Sequence, residues 1–293
     1  MESAPVLPRR AQPTTDRVRA GHAVRRLSAQ RLAPLPARRH REVVSPYAAG
    51  VERTHTRLGG PRTGVVWTAL REEVDGRDRL VVVDVGGGTG GFAVPLAEAG
   101  HGVTVVDASP DALAALTRRA AEAGVADRVR AVQGDADRLA DLFPPACADL
   151  VLCHSVLEVV DDPGGVLEAL AATLRPGGAA SIVVANRAAA VLARAMNGHF
   201  DAAAALLADP DGRLGPGDKL RRRFDAANAA ALVTSVGLTV EKIHGVRVAA
   251  DLVPGALADA DPDAVLAFEI AASDRSPYRD IATQLHLFAR RRA

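Results

Sequence analysis

The residues with the clearest chemistry lie in one short stretch. Asp84-Val85 runs into Gly86-Gly87-Gly88-Thr89-Gly90-Gly91, so Gly86, Gly88 and Gly91 satisfy G-x-G-x-x-G. Glycines there allow a tight strand-to-helix turn and let a ligand approach the free amides of a helix N-terminus. Asp107, further along, offers two acceptor oxygens suited to the hydroxyls of a ribose. A glycine loop and a ribose acid serve several nucleotide cofactors, and by themselves they do not separate a dinucleotide from a sulfonium nucleoside.

Such residues need a scaffold that delivers them to one edge. Residues 80–85 form a continuous apolar run, as expected of a parallel strand covered on both faces. A helix is predicted before it over 65–74 and another after it over 91–99. Strands follow at 103–107, 129–133, 149–154 and 181–185. Between them, Ser109 caps a helix reaching 123 with Pro110 at its first position, and residues 163–174 form a helix ended by Pro176-Gly177-Gly178. This rhythm predicts an α/β fold with a doubly wound, mostly parallel sheet, whose ligand sits beyond the strand carboxyl ends where strand order reverses. The second half is less regular. An alanine-rich helix is expected over 187–208, then Gly/Pro turns over 209–218, a helix over 225–236, a strand over 239–243 and helical structure over 251–275. A last strand over 281–289 alternates enough to suggest an antiparallel partner at the sheet edge. Residues 187–236 read as a helical insert carrying the substrate region, within a domain spanning 42–293.

Composition bounds the possibilities. Of 293 residues, 48% are apolar and 24% charged, which excludes a wholly disordered chain. Cys147 and Cys153 lack the number and spacing of a disulfide framework or a zinc site. No uncharged apolar run approaches the roughly 20 residues that cross a bilayer, and the arginine-rich start lacks the apolar segment of a secretory signal. A cytoplasmic protein without membrane or metal partners is expected. The net charge of +1 conceals an asymmetry: residues 1–41 hold ten arginines against Glu2 and Asp16, leaving 26 basic and 33 acidic residues beyond them. The first 41 residues therefore read as a basic, mostly disordered extension, and the mildly acidic remainder argues against a large phosphate-binding face.

Three further features favour S-adenosyl-L-methionine over a dinucleotide. Asp84 stands two residues before the first glycine, where dinucleotide folds usually carry an apolar residue and methyltransferases an acid that helps to bind the methionyl ammonium. Gly134-Asp135-Ala136-Asp137 follows the third strand and suits an adenine edge. Leu174-Arg175-Pro176-Gly177-Gly178 resembles the turn before strand five of class I methyltransferases. A dehydrogenase fares worse, because the two lysines, Lys219 and Lys242, lie in no Tyr-x-x-x-Lys pattern. The predicted cofactor site therefore comprises Asp84, Gly86, Gly87, Gly88, Asp107, Asp135, Ala136 and Asp137.

At Cys153-His154-Ser155-Val156-Leu157-Glu158-Val159 the likeness narrows. This stretch resembles the H-x-V-L-E segment of the bacterial tRNA 5-carboxymethoxyuridine methyltransferases. The resemblance runs over roughly residues 47–292. It takes in Gly59-Gly60-Pro61-Arg62 with Trp67 five positions on, Asn186, Gly198-His199-Phe200-Asp201, Gly245-Val246-Arg247-Val248, Pro277-Tyr278 and Gln284-Leu285-His286-Leu287-Phe288-Ala289-Arg290. It implies conversion of the carboxymethoxy group of a wobble uridine to its methyl ester. It also implies cofactor contacts from Arg62, Gly86, Gly87, Asp107, Ala136, Asp137 and His154.

Transfer of a sulfonium methyl chiefly needs alignment and exclusion of water. A carboxylate acceptor, with a reference pKa near 4, is already ionised and needs no general base, so no catalytic residue is assigned. Arginine suits a carboxylate bidentately. Arg247 and Arg194 are candidates, with Asn186, His199 and Tyr278 as orienting groups. Arg221-Arg222-Arg223 corresponds to a basic stretch of the resembling family and is a candidate grip on tRNA phosphates. The alternative acceptor is a small molecule under a lid formed by residues 187–280.

Overall fold

The computed structural model describes residues 59–293. The extension expected over 1–41 lies outside the described residues. Helix α1 (Gly64–Val74) leads to β1 (Val81–Val85), α2 (Ala93–Glu98), β2 (Gly102–Asp107), α3 (Pro110–Glu122) and β3 (Val129–Gln133). A 3-10 turn (Ala136–Arg138) and α4 (Leu139–Leu142) precede β4 (Ala148–His154), α5 (Pro163–Thr173) and β5 (Leu174–Ala185). Helices α6 (Arg187–Met196), α7 (Phe200–Ala208) and α8 (Ala226–Ser235) then lead to β6 (Leu238–Val246). The chain closes with α9 (Gly255–Ala260), α10 (Pro262–Ala272), α11 (Tyr278–Ile281) and β7 (Gln284–Arg291).

The sheet has seven strands in the order β3-β2-β1-β4-β5-β7-β6. Strands β1 to β5 are parallel, and β7 runs antiparallel to both β5 and β6. Strand order reverses between β1 and β4, so the crevice for a ligand opens where these two strands end. Val82 and Val83 point to opposite faces of β1 and are both buried, which is why the run shows no alternation. One face of the sheet packs on α1, α2 and α3 through residues such as Leu70, Leu96 and Leu116. The other packs on α4, α5 and α8 through Leu139, Leu167, Leu170 and Val233. Among the described residues, no helix is long and apolar enough to cross a membrane.

The helix caps form as their residue types dictate. Ser109 Oγ accepts from Ala112 N–H at 3.2 Å and Asp162 Oδ1 from Gly165 N–H at 3.0 Å, each with proline next in the chain. Four expectations need correction. The helix expected over 187–208 is two helices, because Gly198 turns left-handed (φ 78°) and ends α6 with its N–H on Ala195 O. The 251–275 region is likewise broken at Asp261, since Pro262 has no N–H with which to continue α9. Strand β5 begins at Leu174 rather than 181, with Arg175-Pro176-Gly177-Gly178 taken up as an irregularity while the register passes from Ala148–Leu174 to Leu150–Ala179. Finally, β7 is antiparallel as expected but lies inside the sheet, and β6 forms the edge. Within β7 the polar His286 is fully buried.

Candidate functional site

The glycine loop leaves β1 at Gly86, whose N–H binds Val106 O of the neighbouring strand at 2.7 Å. Gly86 (φ 69°) and Gly88 (φ 54°) are left-handed, and a Cβ on Gly86 would lie 2.5 Å from the Val156 side chain. Asp107 ties the loop to the end of β2. Its Oδ2 accepts from Gly88 N–H and its Oδ1 from Ser109 N–H, both at 2.9 Å. Each oxygen retains a lone pair for a further donor, because an ionised carboxylate accepts about four hydrogen bonds. Asp107 opens into a cleft of about 410 Å³ lined also by Gly86, Gly134, Asp135, Ala136 and Asp137. Val106, Val156, Val159 and Val160 make its apolar walls. The cleft thus gathers five of the ten predicted cofactor residues, Gly86, Asp107, Asp135, Ala136 and Asp137, and adds the valines, to which the sequence reading gave no role. Their only signal was an apolar run after a strand, and core valines give the same signal.

Asp84 is different. It is buried on the α1 side of β1, and its Oδ2 has no hydrogen-bond partner. Burial, reinforced by the charge of Asp107, pushes its carboxyl up to about 7. A Cβ on Gly87 would come within 2.4 Å of this same oxygen, so the loop backbone is packed directly over it. On β4, Leu152 pairs with Asp84, and His154 lies two residues further along the same face. His154 Nε2 is hydrogen-bonded to Ser181 Oγ at 2.9 Å, while its Nδ1 is buried without a partner. Its ring meets the edge of Phe92 at 4.6 Å, and Phe92 in turn stacks on Trp67 at 5.0 Å. Burial lowers the imidazole to about 3, so it is neutral. Two unpartnered polar atoms, one acidic and one imidazole, therefore stand at the crest of adjacent strands beside the glycine loop. A polar nucleoside with a cationic tail fits this donor set: hydroxyls for Asp107, a cation for Asp84 and an apolar slot for a base.

Arg62 does not line this cleft. Its guanidinium, 67% exposed, pairs with Asp251 at 3.5 Å, and Arg247 approaches the other oxygen of Asp251 at 3.7 Å. The two arginines assigned separate roles thus share one carboxylate, beside a second opening lined by Gly60, Pro61, Asp251 and Val253. Arg247 is left-handed (φ 60°), and its Nε is buried without a partner. Ser155, at the end of β4, is left-handed too (φ 58°). Both are held by the start of β7: Gln284 Nε2 donates to Ser155 Oγ at 2.9 Å, and Thr283 Oγ1 donates to Arg247 O at 3.2 Å. Backbone strain of this kind persists only where its surroundings enforce it. Ser155 and Gln284 both lie in stretches that carry the family resemblance, but neither was assigned a role from the sequence.

Several other candidates hold the fold. Asn186 is buried, caps α6 through Ala188 N–H at 3.0 Å, and donates to Asp280 O at 2.9 Å and Ala282 O at 2.7 Å. Its amide has no donor left for an acceptor molecule. Arg222 donates to Leu157 O, Val160 O and Asp161 O, at 3.0, 2.6 and 3.0 Å. Arg223 is buried in a bidentate pair with Asp218 and also binds Gly212 O at 2.9 Å. The Arg222 guanidinium pins this segment against the turn that floors the cleft, and the Arg223 guanidinium ties the segment to itself. Of the three consecutive arginines, Arg221 keeps an exposed guanidinium, paired with the exposed Asp161. His199 is exposed between α6 and α7, and Tyr278 is half-exposed at the start of α11. Among the described residues, no three His, Cys, Asp or Glu side chains are grouped to hold a metal ion.

A family model described as "Methyltransferase domain" matches residues 83–182, from β1 into β5. The tRNA 5-carboxymethoxyuridine methyltransferase of Escherichia coli (strain K12) is 30% identical over 240 residues, covering 80% of this chain and 90% of the relative. The ubiquinone biosynthesis O-methyltransferase of Xylella fastidiosa (strain 9a5c) is 32% identical over 166 residues, 57% of this chain and 63% of that protein. Among solved structures, an S-adenosylmethionine dependent methyltransferase from Mesorhizobium loti superposes with a TM-score of 0.56 at 22% identity, over 79% of this chain and 100% of the other. The cleft at the β1/β4 crest, the strand order and a likeness along nearly the full length of a relative agree, and the chain belongs to the tRNA 5-carboxymethoxyuridine methyltransferase family of S-adenosyl-L-methionine-dependent enzymes.

Proposed function

We propose that the β1/β4 cleft is the donor site of a carboxyl methyltransferase acting on 5-carboxymethoxyuridine in tRNA. Asp107 takes the ribose hydroxyls and Asp84 the methionyl ammonium. Asp135, Ala136 and Asp137 meet the adenine edge, with the base between the walls of Val106 and Val156. Gly86, Gly87 and Gly88 let the nucleoside lie against backbone. The observation that carries the donor assignment is the pair of unlike carboxylates: Asp107 half-buried and open to the cleft, Asp84 buried with an orphaned oxygen. When bound, the cofactor would supply a sulfonium methyl that an ionised carboxylate attacks in line, the C–O bond forming as the C–S bond breaks and the neutral thioether leaves. The protein's task is then to align the acceptor and keep water away, with no proton to remove.

The likeness to a tRNA-modifying relative over 90% of its length supports the tRNA acceptor. The unpartnered Nε of Arg247 supports a carboxylate, since a desolvated guanidinium gains most from a bidentate anion. Arg62, drawn to the same carboxylate as Arg247, closes the N-terminal side of that opening. Residues 187–236 form the acceptor side of the site, where His199 and Arg221 stay available to a ligand, as does Tyr278 at the start of α11. Action on tRNA also places the enzyme in the cytoplasm. A second reading, a small acceptor under residues 187–280, is favoured by the internal commitment of Arg222 and Arg223. The test is transfer of radiolabelled methyl groups into tRNA and metabolite fractions from a strain lacking this gene. Label in tRNA that mild alkali releases as methanol is expected. Label confined to the metabolite fraction would replace the tRNA reading by the second.

A further inference from the structure

Behind His154, on the α1 side of the sheet, four strands place polar side chains in contact. In register, His154 pairs with Val183, Val183 with His286, and His286 with His244, so three histidines share one row across β4, β5, β7 and β6. Ser181, two residues before Val183 on β5, bridges the gap that the valine leaves. His154 Nε2 lies 2.9 Å from Ser181 Oγ, Ser181 Oγ 2.9 Å from His286 Nε2, and His286 Nδ1 3.2 Å from His244 Nδ1. Ser181 and His286 are fully buried. The row begins at the half-buried edge residue His244, which faces the charges of Lys242, Glu72 and Asp274, and it ends at the unpartnered Nδ1 of His154.

Each contact needs one proton, and the supply is limited. Burial holds all three imidazoles neutral, so each carries a single N–H, and the serine carries one O–H. If His286 is protonated at Nδ1, it donates to His244, and its bare Nε2 accepts from Ser181. Ser181 then accepts from His154 Nε2–H, and His154 Nδ1 is a bare acceptor. If His286 is protonated at Nε2, every link reverses and His154 Nδ1 carries the proton. Any other arrangement leaves a buried donor or acceptor inside the row unpaired, which is the costly case. The two ends are thereby coupled across four strands.

We propose that Ser181, His286 and His244 are positioning residues that set the tautomer of His154, holding its Nδ1 as a bare acceptor for a donor group of the bound nucleoside. The first arrangement is favoured because an orphaned lone pair is tolerated better than an orphaned N–H. It also leaves the His244 proton on Nε2, the ring nitrogen that takes no part in the row. That the ligand is the cofactor rests on the donor-site reading above; the coupling along the row does not.

The experiment uses the full chain, ¹⁵N-labelled, with the protonated ring nitrogen of each histidine assigned by imidazole NMR in the absence of ligand. Wild type is expected to show His154 protonated at Nε2. His244→Glu offers only acceptors at the far end and should keep that state. His244→Lys offers only donors and should move the His154 proton to Nδ1. Adding Ser181→Ala to His244→Lys breaks the coupling, and the Lys-dependent change should vanish. A His154 tautomer that is the same in the Glu and Lys variants, or an Nδ1–H in wild type, would overturn the proposal. In parallel, affinity for S-adenosylhomocysteine should fall by about tenfold in His244→Lys and stay within about twofold in His244→Glu, the scale of one hydrogen bond. A tautomer that responds while affinity does not would uphold the row and remove His154 from the cofactor contact.

Discussion

Replacing Asp84 by Asn tests the buried acid directly. The protonated acid and the amide have nearly the same shape, so the two proteins differ chiefly where Asp84 ionises. Its carboxyl is raised from 3.8 to about 7 by burial and by Asp107. The folded state therefore keeps a proton that the unfolded chain has already released, and wild-type stability falls as pH rises between about 4 and 7. A shift of roughly 3 units corresponds to about 4 kcal/mol in total, of which about 3 kcal/mol lies above pH 5. Asp84→Asn escapes that loss. Relative to wild type, its unfolding free energy should rise by about 3 kcal/mol between pH 5 and pH 8. Urea titrations at several pH values measure this, with equal slopes confirming that the unfolded states are alike. Binding should move the opposite way. S-adenosylhomocysteine keeps the ammonium, so wild-type affinity should be flat above pH 7 and fall about tenfold per unit below it; the variant should be weak and flat throughout. Parallel stability curves for the two proteins would refute the reasoning.

Arg223→Ala would leave Asp218 buried without its guanidinium and should cost about 3–5 kcal/mol in urea unfolding. Arg221→Ala, at an exposed pair, should cost no more than about 1 kcal/mol. Equal losses at the two sites would contradict the assignment of Arg223 as the internal pin. Gly87→Ala would bring a methyl group within 2.4 Å of Asp84 Oδ2. Overpacking of this kind costs about 1–3 kcal/mol; calorimetry should find cofactor affinity reduced, and unchanged affinity would mean that the loop moves freely away from Asp84.

What the chain order alone determined is local. The apolar run of β1, the glycines that follow it, Asp107 at the end of β2 and the capping residues Ser109 and Asp162 are each marked by their immediate neighbours in the chain. Types and spacing of this kind were enough for the sheet class and for Gly86, Asp107, Asp135, Ala136 and Asp137 of the cleft lining. The failures are non-local. The last strand alternated enough to suggest the sheet edge, yet His286 within it is buried, where Ser181, 105 residues earlier, and His244, on β6, meet it across the sheet. Arg222 and Arg223 looked like a surface charge run, yet carbonyls after β4 and the Asp218 carboxylate take up their donors. Arg62 and Arg247 were assigned apart and are drawn together by Asp251. In each case a polar group's role is decided by the partner that satisfies it once water is gone: strand register selects it for His286, and the fold brings it from a distant part of the chain for Arg222 and Arg62.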